Sequence, residues 1–453
     1  MAKNKNIYQC ENCAARLGKW AGQCPECKEW NSIIETREEP RSGGRFAGYS
    51  GQLVNEVKNL ASIGQSEVDR MQVGVGELDR VLGGGIVPGS VILLGGDPGI
   101  GKSTLLLQLV ASLAGRFSSL YITGEESLEQ LGMRGRRLGL PMEDIRCLTE
   151  TSVEQIISHA AEEKPRLMIV DSIQTVYSEA LASAPGSVAQ IRESAAVLVR
   201  WAKENQCCVI LVGHVTKEGA LAGPRVLEHM VDAVLYFESD GGNRYRVIRA
   251  VKNRFGAVNE LGMFAMTGKG LREVKNPSAI FLSGHSEPVS GSVVTVVREG
   301  TRPILLEVQA LVDLSHLNNP RRVALGLEQN RLAMMLAVLH RQGGIGLADH
   351  DVFINVVGGM RITETGADLP MLLALFSSFR DKPIAQKIIC FGEVGLSGEI
   401  RPVADGEQRL RESAGHGFTR ALVPAANAPR KPINNLEVIP LRTVTEALER
   451  SSH

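Results

Sequence analysis

The chain has 453 residues, and 50 lysines and arginines balance 50 aspartates and glutamates. At roughly 100–200 residues per domain this length calls for more than one domain, and a 43% hydrophobic share with 22% charged residues excludes wholesale disorder. No run approaches the ~18 apolar residues of a membrane-spanning helix, and the polar stretch Met1–Cys13 holds no signal segment, so a soluble cytoplasmic protein with no membrane partner is expected. Zero net charge excludes a uniformly basic nucleic-acid coat, though not a local basic patch or pore.

The first feature in chain order is Cys10, Cys13, Cys24 and Cys27, spaced C-x2-C-x10-C-x2-C. Two such knuckles can direct four thiolates at one point, a tetrahedral set that suits a structural Zn2+ and leaves no open position for a catalytic water. A redox or iron site is the alternative. So small a segment needs the metal to fold. Trp20 and Trp30 are expected to pack around this site, the alternative being contact with a partner. The organisation expected is a zinc finger over residues 1–34, a Gly-, Ser- and charge-rich linker over 35–56, an α/β domain over 57–275 and an α+β domain over 276–453. Cys207 and Cys208 open an apolar run and read as buried strand residues without chemistry.

Between about Val54 and Lys275, short apolar runs (Val91–Leu94, Leu120–Thr123, Leu167–Val170, Val209–Val212) alternate with helical patterns, which predicts a mostly parallel sheet. After the first run come Gly95, Gly96, Asp97, Pro98, Gly99, Ile100, Gly101, Lys102, Ser103 and Thr104, and a helical run from Thr104 to Leu113 follows. Strand, G-x4-G-K-[ST] and helix together make a phosphate loop for a nucleoside triphosphate such as ATP. Its amides face the phosphates at a helix N-terminus. Lys102 neutralises the β- and γ-phosphates, and the Ser103 hydroxyl ligates Mg2+. Asp171, ending a later apolar strand, is expected in the same Mg2+ shell. Hydrolysis needs a carboxylate on the attacking water. Glu125 is the first choice and Glu126 the reserve, either of which can instead cap the next helix. His214 is expected to sense the γ-phosphate or to be a satisfied structural histidine. Further on, Leu332, Met335, Leu336 and Leu339 take the spacing of an amphipathic helix.

The cysteine quartet, Gly95–Thr104, Gly124–Ser127 and the run Lys252, Asn253, Arg254, Phe255, Gly256 closely resemble the bacterial RadA (Sms) family of DNA recombination and repair ATPases. The likeness covers nearly the whole chain, and K-N-R-F-G is its most specific element. It implies a RecA-like P-loop core, with Glu125 as the catalytic glutamate and His214 as the sensor. The stretch before Lys252 alternates partly as a strand, so Lys252 and Arg254 should share a face. Two cations there can reach a nucleotide held by a neighbouring subunit, the alternative being a solvated basic turn. The resemblance further implies a homo-hexameric ring that works on single-stranded and branched DNA, promotes branch migration with the RecA recombinase, and acts in the cytoplasm at the nucleoid. DNA contacts are then expected from Gln174–Glu193 and Thr216–His229, with Lys217 and Arg225 in the second loop. That loop has no aromatic side chain for stacking, so binding should be sequence-tolerant and salt-sensitive.

From Asp351 onward the chain looks like the peptidase domain of Lon proteases, notably at Gly392–Pro402. Such peptidases use a Ser–Lys dyad, but the two positions fall on Gly366 and Glu407, so an inactive scaffold is expected. The alternatives to a DNA-dependent motor are an ATP-dependent Lon-like protease, which those two residues oppose, and a nucleotide-switched signalling or scaffold ATPase, which would ignore DNA.

Overall fold

In a computed structural model, residues 6–10, 16–17, 20–25, 27–30, 33–37, 70–214, 226–239, 245–282 and 287–451 are described. The chain forms two compact units, divided between Gln52 and Leu53. The first is a small antiparallel sheet of β1 (Asn6–Cys10), β2 (Arg16–Leu17) and β3 (Ile33–Arg37), in the order β2-β1-β3. β3 therefore runs three residues into the stretch read as linker.

The second unit opens with α1 (Gly76–Val81). A nine-stranded sheet follows, made of β4 (Val91–Gly96), β5 (Ser119–Thr123), β6 (Arg146–Thr149), β7 (Leu167–Asp171), β8 (Cys208–His214), β9 (Ala233–Glu238), β10 (Tyr245–Asn253), β11 (Leu261–Thr267) and β12 (Gly270–Glu273). The order is β12-β11-β10-β9-β4-β8-β7-β5-β6. The six strands from β9 to β6 are parallel, and β10, β11 and β12 continue the sheet as an antiparallel meander. Strands β4, β5 and β7 are buried along their whole length, which is why they read as unbroken apolar runs. The helices α2 (Lys102–Leu113), α3 (Leu128–Leu138), α4 (Val153–Glu163) and α5 (Val188–Asn205) connect them. Ser127, Ser152 and Ser187 cap the last three through side-chain oxygens, each such cap contributing about 1 kcal/mol. The fold is the expected α/β class with a parallel core.

The C-terminal part packs helices on a seven-stranded mixed sheet whose central strands are β13 (Ser292–Glu299) and β14 (Arg302–Leu314). Helix Gln329–Gly343 buries Leu332, Met335 and Leu339 completely, as the heptad-like spacing predicts, with Leu336 at the rim of the core. The β13–β14 turn docks on the α/β core. Arg249 of β10 meets Glu299 at 2.9 Å, and Arg302 meets the buried Glu77 of α1 at 3.0 Å. Leu261 and Met263 of β11 join the same apolar cluster as the C-terminal residues, so the two parts share a core across the 275/276 boundary. Among the described residues no helix is long and apolar enough to cross a membrane.

Candidate nucleotide site and its surroundings

The carboxyl ends of β4, β5, β7 and β8 meet at one edge of the sheet, where open α/β folds bind ligands. The phosphate loop follows β4 there, and α2 begins at Lys102, two residues before the expected Thr104. Gly101 makes this early start possible as the N-cap, at a φ of 118° that favours glycine. The Lys102 ammonium folds over the loop and donates to the carbonyls of Gly96 (2.8 Å) and Asp97 (2.9 Å) and to His214 Nδ1 (3.2 Å). Burial pushes its pKa down to about 8, against the pull of Asp171 and Glu125. A glycine loop at a helix N-terminus with a buried ammonium across it fits a triphosphate.

The acids separate clearly. Glu125 leaves the end of β5 and accepts from the Ser172 hydroxyl (2.5 Å) and from His214 Nε2 (3.1 Å). An ammonium can only donate, so His214 Nδ1 accepts from Lys102 and its ring proton sits on Nε2, facing Glu125. The hydrogen bond from His214 holds the Glu125 carboxyl at about 2, and Ser172 adds to this against partial burial. Close packing sets this geometry: a Cβ on Gly124 would fall 2.1 Å from Thr175 Oγ1, so only glycine lets β5 end against the 172–175 turn. Glu126 lies elsewhere, with its carboxylate on Arg134 at 2.5 Å and its backbone N–H and carbonyl both on Thr123 Oγ1. Neither acid caps α3. That role belongs to Ser127, in a capping box with Gln130.

Asp171 is buried at the end of β7, and its Oδ2 accepts from the Tyr121 hydroxyl at 2.6 Å. Burial first, and the Asp171 charge second, raise the Tyr121 phenol well above its ordinary range, so it stays a donor. Asp171 and the half-buried Ser103 offer oxygen ligands only, a set that suits a hard cation such as Mg2+. Sequence reasoning missed Ser172 and Tyr121. Ser172 was adjacent to a predicted ligand, whereas nothing in the sequence marks Tyr121.

K-N-R-F-G ends β10 at the opposite edge of the sheet. Asn253 pairs with Ala233, which pairs with Ile92 at the start of β4, on the order of 15 Å along the strand from the chain's own phosphate loop. Lys252 and Arg254 do share a face, and both grip the segment before β9. Lys252 donates to the carbonyls of Glu228 (2.7 Å) and Val231 (2.8 Å), and Arg254 pairs with the buried Asp232 at 3.1 Å. Asn253 reaches the Val81 carbonyl, and a Cβ on Gly256 would lie 2.9 Å from Gly83 Cα, so the turn docks closely behind α1. Lys252 is half-buried, whereas Arg254 and Gly256 are exposed.

Several expectations change. Trp20 and Trp30 are 61% and 70% exposed, so they do not pack into a core around the cysteines. The window Gln174–Glu193 is not one open loop: α5 begins at Val188, and the buried Gln190 ties Ser178, Leu181 and Ser183 to it. Lys217 and Arg225 lie outside the described residues, as do Cys13 and the side chain of Cys10. Cys24 is buried in a tight turn, where its carbonyl accepts from Lys28 N–H at 2.9 Å, and Cys27 is half-buried. The described Cys24–Cys27 knuckle offers two thiols of the kind a structural Zn2+ takes. Cys207 and Cys208 are fully buried, and burial pushes the Cys208 thiol up to about 12.

In the C-terminal domain Gly366 is buried and Glu407 is exposed, paired with Arg411 at 2.6 Å. Thr365 donates to Glu393 rather than to any lysine. The space beside Gly366 holds an ion pair in which the buried Arg409 clasps both oxygens of the half-buried Glu364 at 2.7 Å. Glu364→Ala should leave the buried guanidinium with only the carbonyls of Ala404 and Val296 and cost about 2 kcal/mol, to be read from the midpoint of urea unfolding; an unchanged midpoint would contradict this.

Residues 61–220 match the family profile of an AAA domain, residues 8–35 that of a rubredoxin metal binding domain, and residues 328–427 that of subunit ChlI of Mg-chelatase. The chain is 59% identical over 451 residues to the DNA repair protein RadA of Pseudomonas aeruginosa, covering 99% of both chains. It is 55% identical over 449 residues to that of Escherichia coli, covering 98% of each, and 47% identical over 456 residues to that of Bacillus subtilis, covering 100% of this chain and 99% of the other. With a metal-binding N-terminal module, an ATPase core and a ChlI-like C-terminal domain in that order, the chain belongs to the RadA family of DNA repair proteins.

Proposed function

We propose that this protein is an ATP hydrolase of DNA repair and recombination, and that its active sites lie between the subunits of a homo-hexameric ring. In this reading Lys102 and the amides of Gly95–Thr104 hold the triphosphate, and Ser103 and Asp171 hold Mg2+, which screens the phosphate charge when bound. Glu125 orients the attacking water. A carboxyl held at about 2 is a weak proton acceptor, so alignment by an ionised group is its main contribution. His214, bonded to both Lys102 and Glu125, links occupancy of the γ-phosphate position to the water-binding carboxylate. It also ends β8, directly before the stretch of sequence that contains Lys217 and Arg225.

The observation that carries the proposal is the separation of K-N-R-F-G from the phosphate loop of its own chain. Cations at the far edge of the sheet have no route to that chain's nucleotide, whereas a neighbour packed edge to edge brings them to its own. The ring would thread single-stranded DNA and drive branch migration of recombination intermediates made by RecA, with the C-terminal domain as a peptidase-like scaffold that cleaves no peptide.

The test is steady-state ATP turnover with and without single-stranded DNA at low and high salt. Turnover should rise with DNA, the rise should shrink with salt because phosphate contacts release counterions, and Lys102→Ala should abolish both. Turnover that is indifferent to DNA at low salt would overturn the reading.

A further inference from the structure

The phosphate loop is gripped from outside by a residue 146 positions away. Arg246, the second residue of β10, donates from Nε to the Ile100 carbonyl at 3.2 Å and from Nη1 to the Tyr245 carbonyl at 2.9 Å. The Ile100 carbonyl and the Gly101 N–H belong to one trans peptide plane and point in opposite directions. A cation that draws the carbonyl outward therefore turns the Gly101 N–H inward, toward the mouth of α2 where loop amides converge on an anion. Gly101 has no side chain with which to fix this plane, and its backbone sits at a φ of 118°. Beneath it lie Phe237, Leu271 and Met266, which fill space and offer no polar grip. The orientation must come from a neighbour, and Arg246 supplies a charged donor to that carbonyl.

We propose that Arg246 is a positioning residue for nucleotide binding: it sets the peptide plane that aims the Gly101 amide at the phosphates of a nucleoside di- or triphosphate. The inference rests on the nucleotide reading of this loop and adds to it a residue that acts through the loop backbone. An arginine suits the task because its planar fork fixes the direction of both donors, whereas a lysine ammonium on its flexible stem leaves them free to turn.

The experiment is a titration of the full-length protein with a fluorescent N-methylanthraniloyl-ADP, together with ATP turnover, for wild type, Arg246→Ala, Arg246→Lys and Lys102→Ala. Arg246→Ala should weaken the nucleotide dissociation constant and raise KM by about tenfold, as the loss of a charge-assisted hydrogen bond predicts, with a smaller change in kcat. Arg246→Lys should recover part of that loss. The unfolding midpoint without nucleotide should match wild type, which separates aiming of the loop from general stability. Wild-type affinity in Arg246→Ala, a lysine variant as weak as alanine, or a loss confined to kcat would overturn the inference. If wild type itself binds no better than Lys102→Ala, the nucleotide reading fails and takes this inference with it; a tight wild type with an unaffected Arg246→Ala defeats the inference alone.

Discussion

Replacing Glu125 with glutamine is expected to lower ATP turnover by about 100- to 10,000-fold while nucleotide affinity stays near that of wild type. The change is nearly isosteric. A glutamine oxygen can still accept from Ser172 and His214, which lie 2.5 and 3.1 Å from the native carboxylate, so position is kept and charge is lost. The loss should therefore fall on kcat. Glu126→Gln is the matched control. Its carboxylate is held by Arg134 at 2.5 Å and makes no bond to Ser172 or His214, and turnover should remain within severalfold of wild type. Equal losses in the two variants, or a greater loss for Glu126→Gln, would contradict the assignment.

Arg254→Ala is expected to reduce turnover by about 1,000-fold, the scale of an arginine supplied to a phosphoryl-transfer site in trans, with binding and fold retained. The structure makes this a clean substitution. The Arg254 side chain is 56% exposed, and its partner Asp232 keeps the Val91 N–H at 3.0 Å and Lys203 at 3.3 Å. No buried carboxylate is stranded. Lys252→Ala removes a donor from two backbone carbonyls of the 228–231 turn, so its effect should combine a catalytic loss with loosening of that turn. A melting scan distinguishes the two contributions. Arg254→Ala should melt with wild type and Lys252→Ala somewhat below it; an unfolded Arg254→Ala, or one with full turnover, would contradict the account.

The parts legible in the sequence were those written locally. Val91–Leu94, Leu167–Val170 and Val209–Val212 are strands buried on both faces, and burial on both faces leaves an uninterrupted apolar run. The phosphate loop announces itself because glycine, lysine and serine are all required within ten positions. The helix start was misjudged by two residues because Gly101, a breaker by propensity, serves here as the cap. What stayed hidden depends on distant partners. Tyr121 meets Asp171 across two strands, Arg409 meets Glu364 across 45 positions, and Arg246 meets Ile100 across 146. Each looks like an ordinary residue until the sheet order is known. Trp20 and Trp30 were misread for a related reason: a large aromatic beside a metal motif suggests packing, but a unit this small has little interior to offer.

The claim that the site is shared between subunits is tested most directly by mixing two inactive proteins. One carries Lys102→Ala and keeps Lys252 and Arg254; the other carries Lys252→Ala with Arg254→Ala and keeps its phosphate loop. Each is expected to be nearly inert alone. In randomly mixed assemblies about a quarter of the head-to-tail interfaces pair an intact loop with intact cations, so ATP turnover should reappear on mixing and follow the ratio of the two. Turnover that stays at the level of the separate variants at every ratio, with subunit exchange demonstrated by labelled chains, would contradict the account.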